Sequence, residues 1–99
     1  MSVVIVGGNE CMECRYKELC RSYHCKPKIF LKYSQAMQKQ IGSPDLMILF
    51  TGTVSHKMVK CALSKVKGMD TMIVRSRSSS MSALKNIMEE YGGGKKAAG

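Results

Sequence analysis

The feature that most constrains this chain is Val3-Val4-Ile5-Val6 running straight into Gly7-Gly8. Four consecutive β-branched residues show no alternation, so both faces of that segment want burial. This is the signature of an interior strand in a parallel sheet. The glycine pair then ends the strand. Met12, Tyr16, Leu19, Cys20 and Tyr23 follow at helical offsets and share one face, which predicts a helix from about Cys11 to Tyr23. Arg15, Glu18, Arg21 and Ser22 fall off that face and are expected in solvent.

The same unit recurs. Pro27 stops the first helix, and Lys28 to Lys32 reads as a second strand. Ser34 is a candidate cap for a second helix reaching Ile41, with Met37 and Ile41 as its apolar stripe. Gly42-Ser43-Pro44-Asp45 is turn chemistry. Leu46 to Phe50 is the most apolar run and reads as a central strand. Ser55 caps a third helix carrying Met58, Val59, Ala62, Leu63 and Val66 inward, ended by Gly68. Thr71 to Val74 reads as the fourth strand and Arg75 to Ser80 as the loop after it. A last helix places Met81, Leu84, Ile87, Met88 and Tyr91 on one face.

Four strand-to-helix alternations define an α/β fold, a Rossmann-like three-layer sandwich with a four-stranded parallel sheet. Right-handed crossovers with one reversal predict the strand order 2-1-3-4. Residues 1–91 form one domain, and 92–99 are expected to be a flexible Gly/Lys tail. In this order the first and third strands are neighbours. The crevice beyond their C-terminal ends is where such sheets bind ligands.

Composition narrows the compartment and the partner. No apolar run approaches the length of a membrane span, and no secretory leader pattern opens the sequence. Five cysteines make an odd number, which does not suit a secreted disulfide framework. The expectation is a cytoplasmic protein without membrane contact. A net charge of +9 favours anionic partners, whether a small molecule, a nucleic acid or an acidic protein. The small core of a 99-residue chain and two open sheet edges favour a homo-oligomer, expected as a homodimer.

Several residues carry candidate chemistry. Cys11 and Cys14 stand three apart in the first turn of the first helix, where backbone N–H groups favour a thiolate. His56 opens the third helix on the same sheet edge. Together these three are candidate ligands for zinc or iron. A four-cysteine site with Cys20 and Cys25 would require a broken helix. Cys20 and Cys61 read as small apolar core residues, and His24 as a surface residue. Gly7, Gly8, Asn9, Thr51, Thr53 and Ser55 are candidate anion-binding residues on the crevice loops. Arg75, Arg77, Ser78 and Ser79 form a second such group before the last helix. The glycines lack the spacing of a dinucleotide fingerprint or a P-loop.

The segments Val4-Ile5-Val6-Gly7-Gly8, Asp45-Leu46, Thr51, Thr53-Val54-Ser55-His56, Arg75-Ser76 and Ser78-Ser79-Ser80 resemble a bacterial family, the domain of unknown function 2325. The resemblance spans about Ser2 to Tyr91. It implies a Rossmann-like fold and carries no activity with it. The leading functional expectation is a small ligand- or metal-binding module, with redox sensing as one form of it. A thiol-redox or phosphoryl-transfer enzyme is one alternative, although no acid–base pair is apparent. A basic nucleic-acid-binding protein is the other, although no stacking aromatic cluster appears.

Overall fold

Apolar strands and amphipathic helices alternate through the chain in the order its sequence pattern predicts. The computed structural model describes residues 2–33 and 35–92, with no side chains for 36–38. β1 is Ser2–Val6, followed by a 3₁₀ turn at Glu10–Met12 and α1 at Glu13–Ser22. β2 is Lys26–Phe30 and α2 is Gln35–Gln40. β3 is Leu46–Phe50, α3 is His56–Lys65 and β4 is Met72–Ser76. α4 is Met81–Ile87, and one π-helical turn, Met88–Gly92, continues it. The Ser34 cap and residues 93–99 lie outside the described residues, as does the side chain of Met37.

All strand pairs are parallel and the sheet order is β2-β1-β3-β4. Alternate side chains of the central strands feed two separate cores. Val3, Ile5, Leu46, Ile48 and Phe50 pack with Tyr16 and Cys20 of α1 and with Leu84, Ile87 and Met88. Val4, Val6, Met47 and Leu49 pack with Ile41, Met58, Ala62 and Val66. So α1 and α4 cover one face, while α3 and the end of α2 cover the other. β3 is buried at every position, as its unbroken apolar run requires.

Asp45 pins the lower edge of the sheet. Its carboxylate accepts from Ser2 N–H at 2.8 Å, and its C=O accepts from Met72 N–H at 3.0 Å. At the end of α1, His24 takes φ +60°. The N–H of His24 bonds to Arg21 C=O and that of Cys25 to Cys20 C=O. This is a Schellman ending with histidine where glycine is usual.

Both edge strands differ from their expected spans. β2 begins at Lys26 and includes Pro27, which pairs with Val3. Phe30 C=O accepts from Gly7 N–H, so Lys26, Lys28 and Phe30 turn their backbone groups towards β1. Pro27 turns outward, and its missing N–H falls on the open edge where no partner is needed. β4 runs on through Arg75 and Ser76, which pair with Leu49 and Phe50. Arg75 is therefore a strand residue and not part of the following loop. Its side chain shares the α3 face with Leu49.

Candidate functional site

The crevice beyond β1 and β3 is where ligand chemistry was expected. Here the loop polar groups bind one another. Gly7 and Gly8 take φ +95° and +110°, conformations that side chains rarely allow. A Cβ at Gly7 would run into Val54, and one at Gly8 would lie 2.8 Å from the Tyr16 ring. These turns press the β1–α1 loop onto its neighbours. Gly8 N–H then donates to Thr53 Oγ1 at 2.8 Å, and that hydroxyl donates to Phe50 C=O at 3.1 Å. Asn9 N–H donates to Tyr16 Oη at 3.2 Å, and Tyr16 O–H donates to Ser79 C=O at 2.5 Å. Asn9 Oδ1 accepts from Cys11 N–H at 2.9 Å. Gly7, Gly8, Asn9, Thr53 and Ser79 are thus brought together, as a seam joining three loops.

The remaining serines act locally. Ser55 caps α3 by accepting from Met58 N–H, and Ser80 caps α4 by accepting from Ala83 N–H. Ser78 Oγ donates to Ser80 Oγ at 3.0 Å and accepts from Ser80 N–H at 3.2 Å. Arg77 is exposed, and its backbone lies against Gly52.

A different arrangement lies between α3 and β4. A cavity of about 370 Å³ is lined by Thr51, Val54, His56, Val59, Lys60, Leu63 and Arg75. His56, Val59, Lys60 and Leu63 stand at i, i+3, i+4 and i+7 of α3, so one helical face supplies most of the wall. β4 supplies Arg75, and the β3–α3 loop supplies Thr51 and Val54. Among the described residues, the side chains of His56, Lys60 and Arg75 form no hydrogen bond or ion pair. The lining contains no carboxylate. Three nitrogen-bearing side chains therefore face an apolar patch of Val54, Val59 and Leu63 with their donors available.

The cysteines divide by burial. Cys11 and Cys14 are exposed, whereas Cys20 and Cys25 are buried. Burial, and then the neighbouring Cys25, push the Cys20 thiol up to about 12. Burial also raises Cys25. Buried thiols held protonated are poor nucleophiles and poor metal ligands. Among the described residues, no three His, Cys, Asp or Glu side chains gather into a group able to hold a metal ion. The expected trio of Cys11, Cys14 and His56 is not assembled. All three follow strands on the same sheet edge, but α1 and α3 lie on opposite faces. Their first turns diverge across the sheet.

Of the expected site residues, His56, Thr51 and Arg75 meet in the cavity. Lys60, Val54, Val59 and Leu63 join them without having been expected there. The α3 stripe at Val59 and Leu63 read as core because its spacing is that of a core face. Both are only partly buried, because α3 overhangs the margin of the sheet. The bridging role of the Tyr16 hydroxyl was also not anticipated.

A doubly wound α/β domain with a cationic, partly apolar cavity beside its third helix is thus defined. The sequence profile of the family described as "Uncharacterized protein conserved in bacteria (DUF2325)" matches residues 2–91, and the chain belongs to that family. Neither a curated protein nor a solved structure matches the chain.

Proposed function

We propose that this domain is a cytoplasmic ligand-binding module whose ligand is a small organic anion with an apolar part. The observation that carries the reading is the lining of the α3–β4 cavity. Arg75 and Lys60 supply positive charge, His56 and Thr51 supply polar contacts, and Val54, Val59 and Leu63 supply an apolar floor. Arg75 offers a planar fork suited to a carboxylate or phosphate, and Lys60 offers a point charge. The volume falls in the range of small-molecule sites, which bury most of a ligand and orient it with a few polar groups. The net charge of +9 adds long-range attraction for an anion.

Binding is favoured over catalysis because the lining holds neither a carboxylate nor a thiol. A paired acid and base, or a redox thiol, would need to come from elsewhere. No helix among the described residues is long and apolar enough to cross a membrane. The basic surface alone would serve a nucleic acid equally well, but a concave site of this size favours a small ligand.

The test uses phenyl phosphate as a probe, with inorganic phosphate and phenol as its two halves. Backbone amide spectra should show phenyl phosphate shifting Val54 to Leu63 and Arg75, and binding more tightly than either half. Shifts confined to the β1–α1 loop, or equal binding of inorganic phosphate and phenyl phosphate, would contradict the reading. Tight binding of a single-stranded oligonucleotide with no response to phenyl phosphate would favour the nucleic-acid alternative.

A further inference from the structure

The two edges of the sheet are built differently. On β2 the run Lys26-Pro27-Lys28 sets two exposed charges about a half-buried residue that has no N–H to offer. These are recognised devices for keeping an edge strand from pairing. On the β4 side, Thr71 and the first three strand residues, Met72, Ile73 and Val74, carry neither charge nor proline, and Arg75 is the one charged residue of the strand. Met72 is 51% exposed and Ile73 39%, and nearby Met69 is 43% exposed. Interior parallel sheets cover both faces of such residues. Met72 points to the α1–α4 face and Ile73 to the α3 face, so the exposure wraps around the edge.

The backbone of β4 specifies what this edge accepts. Met72 N–H bonds to Asp45 C=O, and Ser76 C=O accepts from Thr51 N–H. In a parallel ladder a residue's N–H and C=O point to the same side, alternating along the strand. Met72, Val74 and Ser76 therefore serve β3, and Thr71, Ile73 and Arg75 present their groups outward. Among the described residues no strand pairs with this side. A bare row of donors and acceptors flanked by apolar side chains fits another strand.

We infer that β4 pairs antiparallel with β4 of a second copy of this chain, about a two-fold axis at Ile73. Only a second copy satisfies both bare edges in one contact, and such isologous pairing is the commonest form of homo-oligomer. The register follows from the side chains. Centring on Ile73 sets Ile73 against itself and Met72 against Val74, apolar on apolar on both faces. Outward-facing Thr71 and Arg75 then become partners and exchange both backbone bonds. Centring on Arg75 would set like charges opposite each other, which is unfavourable. Centring on Val74 would set Arg75 against Ile73. In the preferred register Arg75, which lines the α3–β4 cavity, faces Thr71 of the second copy, with that copy's Ile73 diagonal to it. The second copy thus extends the cavity wall. The pairing itself stands on the edge geometry and goes beyond the ligand reading.

Sedimentation of the full chain at high micromolar concentration, with the Ile73→Lys variant beside it, is the first arm. Wild type should sediment at twice the protomer mass and Ile73→Lys at the protomer mass, with unchanged circular dichroism. The second arm uses Ile73→Cys in a Cys11→Ser, Cys14→Ser background, exposed to glutathione disulfide. Two protein thiols give their electrons to the reagent, forming one intermolecular S–S bond and releasing reduced glutathione. Directly opposed, hydrogen-bonded antiparallel residues have Cα atoms about 5.5 Å apart, within disulfide reach. Ile73→Cys should cross-link roughly tenfold faster than Lys28→Cys on the other edge. The inference is overturned by a monomeric wild type, by Ile73→Lys remaining dimeric, or by equal cross-linking at the two edges. Should Ile73→Lys fail to fold, the cross-linking rates decide. Loss of phenyl phosphate binding in an Arg75 variant would bear on the cavity alone.

Discussion

The crevice above β1 and β3 and the cavity beside α3 lie at the same end of the sheet, and their polar groups are used in opposite ways. In the crevice, Gly8, Asn9, Thr53, Tyr16 and Ser79 bind one another. In the cavity, the side chains of His56, Lys60 and Arg75 have no partner among the described residues. Hydrogen bonds made within the chain hold loops together, whereas donors left open over an apolar floor remain available to a ligand. The topological switch point between β1 and β3 therefore has these loop polar groups engaged within the chain. Here it serves as the clasp of three loops, and the free chemistry sits one strand further out.

If the crevice is a clasp, disturbing it should cost stability first. The largest effect is expected for Gly7→Ala. The new Cβ would collide with Val54, and φ +95° is strained for any side chain. Together these should cost about 3 kcal/mol or more. Urea titration followed by circular dichroism measures it. A midpoint close to wild type would mean that the loop is loose and the clasp idea wrong.

Tyr16→Phe should come next. It removes one hydroxyl that joins Asn9 N–H to Ser79 C=O and leaves both without that partner. The loss should be about 2 kcal/mol, since stranding partly buried groups costs more than a hydrogen bond's net worth. Phenyl phosphate binding should be retained by the folded variant. A variant as stable as wild type but unable to bind would reverse the roles assigned to the two regions.

How much of this was legible before the fold was known follows from burial. β1 and β3 are buried on both faces, so their apolar runs and the parallel order 2-1-3-4 could be read directly. The edge strands pack less completely. Lys26 and Pro27 hide the start of β2, and Arg75 and Ser76 hide the end of β4. Arg75 consequently looked like a loop partner of Arg77. His56, Thr51 and Arg75 were expected at a site and line the cavity; Lys60 lines it too but was not expected there, because a lysine at helical spacing reads as solvated surface. The expected grouping of Cys11 and Cys14 with His56 rested on neighbouring strands alone. Which face each helix takes is decided by crossover handedness, and that put α1 and α3 on opposite sides.

The thiols sharpen the contrast between enclosed and open groups. Cys20 keeps its proton to about 12 in the folded chain, against 9.0 for an unperturbed thiol. Between those values the unfolded chain binds fewer protons than the native one. The contribution of Cys20 is therefore fully present below 9.0 and is lost as pH rises towards 12. By pH 10 the loss should be on the order of 1 kcal/mol. Cys20→Ala should be somewhat less stable at neutral pH but should lose stability less steeply above pH 9. Iodoacetamide should label Cys11 and Cys14 before Cys20 or Cys25 in the native protein. Denaturation curves of equal slope against pH for the two proteins would show that Cys20 is less enclosed than its packing indicates.

The smallest effect on stability, and the most telling for the comparison, is expected at Arg75 and Lys60. Both side chains are exposed and unpaired, so Arg75→Ala and Lys60→Ala should each change stability by within about 0.5 kcal/mol. Their effect on binding should be far larger. A hydrogen bond to a charged group contributes about 1.5–3 kcal/mol, so each variant should weaken phenyl phosphate by roughly tenfold or more. Arg75→Lys should recover part of that loss, because it restores the charge without the planar fork. Calorimetric titration of the three variants gives both affinity and stoichiometry. If Arg75→Ala and Lys60→Ala bind the probe as wild type does while losing stability as Tyr16→Phe does, the cavity is a second clasp. The distinction between a structural crevice and an open site would then collapse.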